Sequence, residues 1–176
     1  MEEDDISAII REVLQARISY IGWSVPDQSK SGYANVKPGE PDLEIKKGNT
    51  TLAVIEAVIC DQSVGRETMQ KTLAKHFKKA LGYAGCKLFF HLTYARILDI
   101  ESIFTYLEGS LKEPPTDFTY EGHERIPFTD NRPRGFIARY RRGAEEVKVT
   151  FLVLDILQAA QKAAAKEGRE DKAAKS

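Results

Sequence analysis

Glu40-Pro41-Asp42-Leu43-Glu44-Ile45-Lys46-Lys47-Gly48-Asn49-Thr50-Thr51-Leu52-Ala53-Val54-Ile55-Glu56-Ala57-Val58-Ile59-Cys60 is the stretch that decides how this chain is read. From Leu52 to Cys60 it is apolar except for Glu56. An apolar run of that length predicts a central strand covered on both faces. Lys47-Gly48-Asn49-Thr50 carries turn chemistry, so residues 42–60 are expected to form a β-hairpin. A carboxylate inside a sheet is costly unless a cation, a proton or hydrogen bonds compensate it. Asp42 offers a second carboxylate, and two meeting on adjacent strands make a site for a divalent cation. Register decides whether they meet. A three-residue loop, Gly48 to Thr50, pairs Lys47 with Thr51 and sets Asp42 opposite Glu56. A two-residue loop shifts the pairing by one and turns the carboxylates to opposite faces.

Upstream, residues 5–21 are expected to be helical, with Ile6, Ile9, Ile10, Val13 and Leu14 on one buried face. Asp4 and Asp5 suit its N-terminus and Gly22 its end. Residues 22–41, rich in Gly, Pro and Ser, form a long connection with a short strand near Trp23 to Val25. Downstream, residues 66–84 predict a second helix, with Met69, Leu73, Phe77, Ala80 and Leu81 inward. Lys71, Lys75 and Lys78 fall on its solvent side; Thr72, His76, Lys79 and Tyr83 fall on a flank between the two. Residues 87–94 predict a buried strand and residues 99–111 a third helix, before Pro114-Pro115 breaks the chain. Residues 114–133 read as irregular. Residues 135–142 and 147–154 read as a second hairpin around Gly143 to Glu146. The order implies an α/β sandwich, a central mixed sheet with helices on both faces and an extra C-terminal hairpin.

The 176 residues suffice for one domain with a real core, and 42% hydrophobic with 30% charged residues fits a globular protein. Residues 1–157 read as that domain, with a core at 5–94 and an extension at 95–157. Residues 158–176 form a tail rich in Ala and Lys. A formal net charge of zero means that any nucleic-acid surface must be a local patch. Cys60 and Cys86 lack zinc-type spacing and read as buried reduced thiols, with a reducing cytoplasm as the expected compartment. No apolar stretch is long enough to span a bilayer, so no membrane partner is expected.

Pro41-Asp42 on one strand, Glu56 inside the next, then an amphipathic helix and a further strand resemble the PD-(D/E)XK nuclease superfamily, whose fold is restriction-endonuclease-like. The family core is a helix, a three-stranded meander, a helix and a strand, which residues 5–94 would cover. His76-Phe77-Lys78-Lys79 is similar to a His-x-x-Lys pattern on the helix of nuclease-like domains in prokaryotic defence proteins. The resemblance implies that Asp42 and Glu56 bind Mg²⁺ (or Mn²⁺) and that a lysine serves the attacking water. The family places that lysine two residues after the glutamate, where this chain has Val58. Lys79, one turn from His76 on the same flank, is the expected replacement, with His76 supporting it. Glu12 resembles an additional glutamate ligand. Pro26-Asp27 followed by Glu44-Ile45-Lys46 also fits the family pattern, but beside the turn rather than inside a strand.

Each candidate has a structural reading too. Glu56 could serve an ion pair, Asp42 a turn, His76 and Lys79 the helix surface, and His91 a hydrogen-bonded core; His123, in a loop, carries no signal. Arg132, Arg134, Arg139, Arg141 and Arg142 form the densest basic stretch, with Phe136 and Tyr140 interleaved. As a strand it would present Arg139 and Arg141 on one face, suited either to phosphate contact or to a charged edge. Two functions are therefore expected. One is a metal-dependent nuclease acting on DNA in prokaryotic defence or DNA processing. The other is a degenerate nuclease fold serving as a DNA-binding or protein-interaction subunit of a larger complex.

Overall fold

The computed structural model describes residues 3–26, 41–61, 63–83, 85–97, 99–126 and 134–156. The calls on Asp27, Arg132 and the tail at 158–176 lie outside these residues. Among the described residues there are three α-helices and six strands. In chain order these are α1 (Glu3–Ile18), β1 (Leu43–Lys47), β2 (Thr50–Asp61), α2 (Arg66–Leu81), β3 (Leu88–Arg96), α3 (Ile100–Ser110), β4 (Thr119–Arg125), β5 (Gly135–Arg142) and β6 (Glu145–Asp155). A turn of 3-10 helix, Ser19–Ile21, extends α1.

The strands form one mixed sheet in the order β1-β2-β3-β6-β5-β4. β2, β3 and β6 run parallel, and the hairpin partners β1 and β5 run antiparallel beside them. Alternation along each strand divides the core in two. Val54, Val58 and Cys60 of β2, Phe89 of β3 and Val149, Phe151 and Val153 of β6 pack beneath α2 and α3. Ile55 and Ala57, with Leu92 and Tyr94, pack beneath α1. Helices therefore cover both faces, as the sequence predicts. Phe77 anchors α2, fully buried with ring centroids 5.8 Å from Tyr140 and 5.6 Å from Phe151.

Four local expectations change. On α1, Ile6 is buried and Ile10, Leu14 and Ile18 are partly so, but Ile9 and Val13 are each 55% exposed. The helix rests on a narrower stripe than its apolar residues would allow. Residues 119–125, expected to be irregular, form the edge strand β4, and His123 lies on it. The short strand near Trp23 to Val25 is a single bridge, in which Ser24 exchanges two backbone hydrogen bonds of 2.8 Å with Lys46 on the outer edge of β1.

The fourth concerns the first hairpin. Its loop has two residues, not three: Lys47 pairs with Thr50 across Gly48-Asn49, and Gly48 takes φ 57°. That loop alone would separate the carboxylates. A β-bulge restores them, because Lys46 pairs with Thr51 but Ile45 pairs with Ala53, leaving Leu52 as the extra residue. From Ala53 onward the pairing is Glu44 with Val54 and Leu43 with Ile55, which carries Asp42 to the level of Glu56.

A second glycine has a packing role. A Cβ on Gly135 would lie 2.3 Å from the carbonyl oxygen of Phe151 and 3.0 Å from Leu152 Cδ2. Gly135→Ala must push β5 away from β6, and should cost about 1–3 kcal/mol in urea denaturation.

Candidate functional site

Glu56 lies on the α2 face of β2, level with His91 on β3, and its side chain is 0% exposed. Each of its oxygens has distinct company. Oε1 accepts a hydrogen bond of 2.8 Å from the Tyr83 hydroxyl. Oε2 lies 2.9 Å from Lys79 Nζ and 3.6 Å from His76 Nδ1. Asp42 stands just before β1 begins, where the ladder to β2 has run out. Its Oδ2 accepts a 2.6 Å hydrogen bond from the Ala57 backbone N–H, completing the edge of β2 in place of a strand carbonyl. Its Oδ1 lies 3.8 Å from Lys79 Nζ. One lysine ammonium is thus shared by the two carboxylates.

α2 delivers the cationic side of the site because its flank is in register with β2. Leu73, Phe77, Ala80 and Leu81 are buried. His76 and Lys79, one turn apart, therefore come down at the rim over Glu56 while Lys71, Lys75 and Lys78 point to solvent. Val58, at the family's lysine position, is 2% exposed and belongs to the apolar core beneath α2 and α3. A lysine there would bury its ammonium among apolar side chains. Lys79 brings its ammonium to Glu56 from α2.

Tyr83 is the site residue whose role sequence reasoning missed. It follows Gly82, beyond the end of α2, but continues the flank four residues after Lys79. That continuity was the available signal. Burial, then its hydrogen bond to Glu56, hold its phenol far above the usual range, so the hydroxyl keeps its proton and acts as donor.

Two buried atoms of this site lack hydrogen bonds among the described residues: Glu56 Oε2, whose contact with Lys79 is an ion pair, and His76 Nδ1. Asp42, Glu56 and His76 each bring a ligand atom to within 4.8 Å of the others. A cation with bonds of about 2.1 Å spaces its ligands roughly 3–4 Å apart, so small side-chain rotations would close this set around one ion. The donors fit a divalent metal. Buried carboxylate oxygen and imidazole nitrogen without hydrogen bonds are costly to keep and ready to ligate.

The remaining candidates are not brought here. Glu12 is exposed, pairs with Arg11 at 2.8 Å and sits on the helix that covers the opposite face of the sheet. Glu44 stands opposite Val54 on the same face of the hairpin as Asp42 and Glu56, near enough for its charge to act on Tyr83, but its carboxylate pairs with Lys46 at 2.6 Å. Phe136, Ala138 and Tyr140 of β5 are fully buried on the face that carries Glu56. Arg139 and Arg141 alternate with them and project from the other face. There they meet carboxylates of β4: Arg139 lies 3.4 Å from Glu124, and Arg141 lies 2.6 Å from Glu121. Arg142 stacks over Phe118 at 5.3 Å and donates to the Cys86 carbonyl at 3.1 Å. Arg134 precedes β5, where its carbonyl accepts from the Val153 N–H. His91 is buried, as a core residue should be, with Nδ1 3.4 Å from Thr93 Oγ1. Cys60 and Cys86 are buried free thiols. No helix among the described residues is long and apolar enough to cross a membrane.

No protein-family model, curated protein or solved structure matches the chain.

Proposed function

We propose that the chain is a divalent-metal-dependent nuclease of the restriction-endonuclease-like kind, hydrolysing phosphodiester bonds of DNA in a prokaryotic defence or DNA-processing system. The observation that carries this reading is the position of Lys79, whose ammonium lies 2.9 Å from Glu56 and 3.8 Å from Asp42. The two acids and the lysine of the resembled family thus sit together, although the lysine comes from α2 rather than from position 58. The element order supports the same reading. α1, the hairpin β1-β2, α2 and β3 follow the family core, with the Ser24 bridge on the outer edge of β1 standing in for the remaining meander strand.

The roles follow from the contacts. Asp42 and Glu56 would hold Mg²⁺ or Mn²⁺, which when bound stabilises charge developing on the scissile phosphate and acidifies water. The Ala57 N–H fixes the direction of the Asp42 carboxylate, and the Tyr83 hydroxyl fixes that of Glu56. Lys79, 27% exposed on a flexible stem, reaches from the rim to orient the attacking water and neutralise a phosphate oxygen. His76 flanks that path.

Incubated with supercoiled plasmid and Mg²⁺ or Mn²⁺, the purified protein should nick the DNA, and chelation should stop it. Wild-type protein that leaves plasmid intact with either ion would overturn the assignment. The arginine hairpin favours a second reading, a non-catalytic subunit of a larger complex. Arg139 and Arg141 face away from Glu56 and already have carboxylate partners. Such exposed pairs hold weakly, and a phosphate or an acidic partner protein could displace the glutamates.

A further inference from the structure

We infer that His76 is a direct metal ligand, completing an Asp42–Glu56–His76 set that selects a divalent first-row transition ion over Mg²⁺. The inference rests on the metal-site reading above and deepens it by naming the class of ion. The notion of His76 as a merely supporting polar group leaves one fact unexplained: its Nδ1 is buried, lacks a hydrogen bond among the described residues and lies 3.6 Å from Glu56 Oε2. That oxygen is likewise buried without a hydrogen bond. Two such atoms lie side by side, and Asp42, Glu56 and His76 each bring a ligand atom to within 4.8 Å of the others, which makes a ligand set for one ion.

Ligand chemistry then sets the preference. Mg²⁺ takes oxygen donors in a strict octahedron and keeps its waters. An imidazole nitrogen gains little with Mg²⁺ and much more with the borderline transition ions. Glu12, the alternative third ligand, would have given an all-oxygen site, but it lies across the sheet. Lys79 imposes a condition on binding. Its ammonium stands against the Glu56 oxygen that the ion would take, so the ion must displace it toward the rim. The stem is long enough and open enough to move.

Mn²⁺ titrated into the full chain, without nucleic acid, and followed by electron paramagnetic resonance should show one bound ion. Pulsed measurement of that ion should show modulation from a directly bound ¹⁴N nucleus. His76→Ala should lose the modulation and weaken Mn²⁺ binding at least about tenfold, while Mg²⁺ affinity changes little. Lys79→Met should tighten Mn²⁺ binding. Wild-type protein that binds Mn²⁺ without nitrogen modulation, or not at all, overturns the assignment, and this readout does not depend on how a variant folds. A protein that nicks plasmid but shows no nitrogen modulation would overturn the histidine ligand and leave the nuclease reading standing. Nitrogen modulation without nicking would do the reverse.

Discussion

Glu56→Gln should lower cation-dependent nicking at least about a hundredfold while leaving the protein folded. The amide is isosteric with the carboxylate, and its oxygen can keep the 2.8 Å hydrogen bond from Tyr83. The other end changes character. Where Oε2 faced Lys79 at 2.9 Å and His76 at 3.6 Å, an NH₂ would face them, a donor against an ammonium. A bound cation would lose its anionic ligand in a fully buried position, where water cannot substitute for it. Lys79, partly exposed, can swing outward, which limits the structural cost. Circular dichroism and the midpoint of thermal unfolding separate the two effects. Nicking that persists at the wild-type rate in a folded Glu56→Gln protein would remove Glu56 from the chemistry.

Acid should destabilise the protein through His91. Burial, then the neighbouring His76, press its pKa down from an ordinary 6.5 to about 3. The folded state therefore resists a proton that the unfolded chain accepts. Below pH 6.5 the unfolded state binds more protons, and stability falls with pH until about pH 3, where the folded form protonates as well. One proton gives a slope approaching 1.4 kcal/mol per pH unit, so between pH 6.5 and 4.5 the loss is roughly 2–3 kcal/mol. Carboxylates add slopes of their own, so the informative quantity is a difference. In urea denaturation across this range, the stability of wild type minus that of His91→Leu should fall by roughly 2–3 kcal/mol from pH 6.5 to 4.5. Parallel curves would mean that His91 carries no such linkage.

The sequence made the hairpin, α2 and the inward and outward residues of α2 legible, because an apolar period reports burial directly. Lys71, Lys75 and Lys78 fall outside and Phe77 inside as spacing demands. The site was legible for the same reason: Glu56 breaks a run in which nothing else is charged. The strand that was missed had no apolar signature. Thr119–Arg125 is an edge strand, and much of its contact with β5 runs through Arg–Glu pairs and the Tyr120–Tyr140 ring contact rather than through alternating aliphatic residues. Ile9 and Val13 belong to a stripe wider than the surface beneath it. Arg139 and Arg141 do share a face, but only the order of strands in the sheet reveals that it is the face away from Glu56.

The hairpin behaves like a reading frame carrying two compensating errors. The turn is one residue short, Leu52 is one residue extra, and downstream of both the phase is restored. Neither change is tolerable without the other, since a shift of one would turn Glu56 away from Asp42 and into the core beneath α1. Any comparison of this chain with another protein should therefore treat loop length and Leu52 as a single character. An alignment anchored on Gly48-Asn49 would misplace the glutamate by one position, whereas one anchored beyond the bulge would find it.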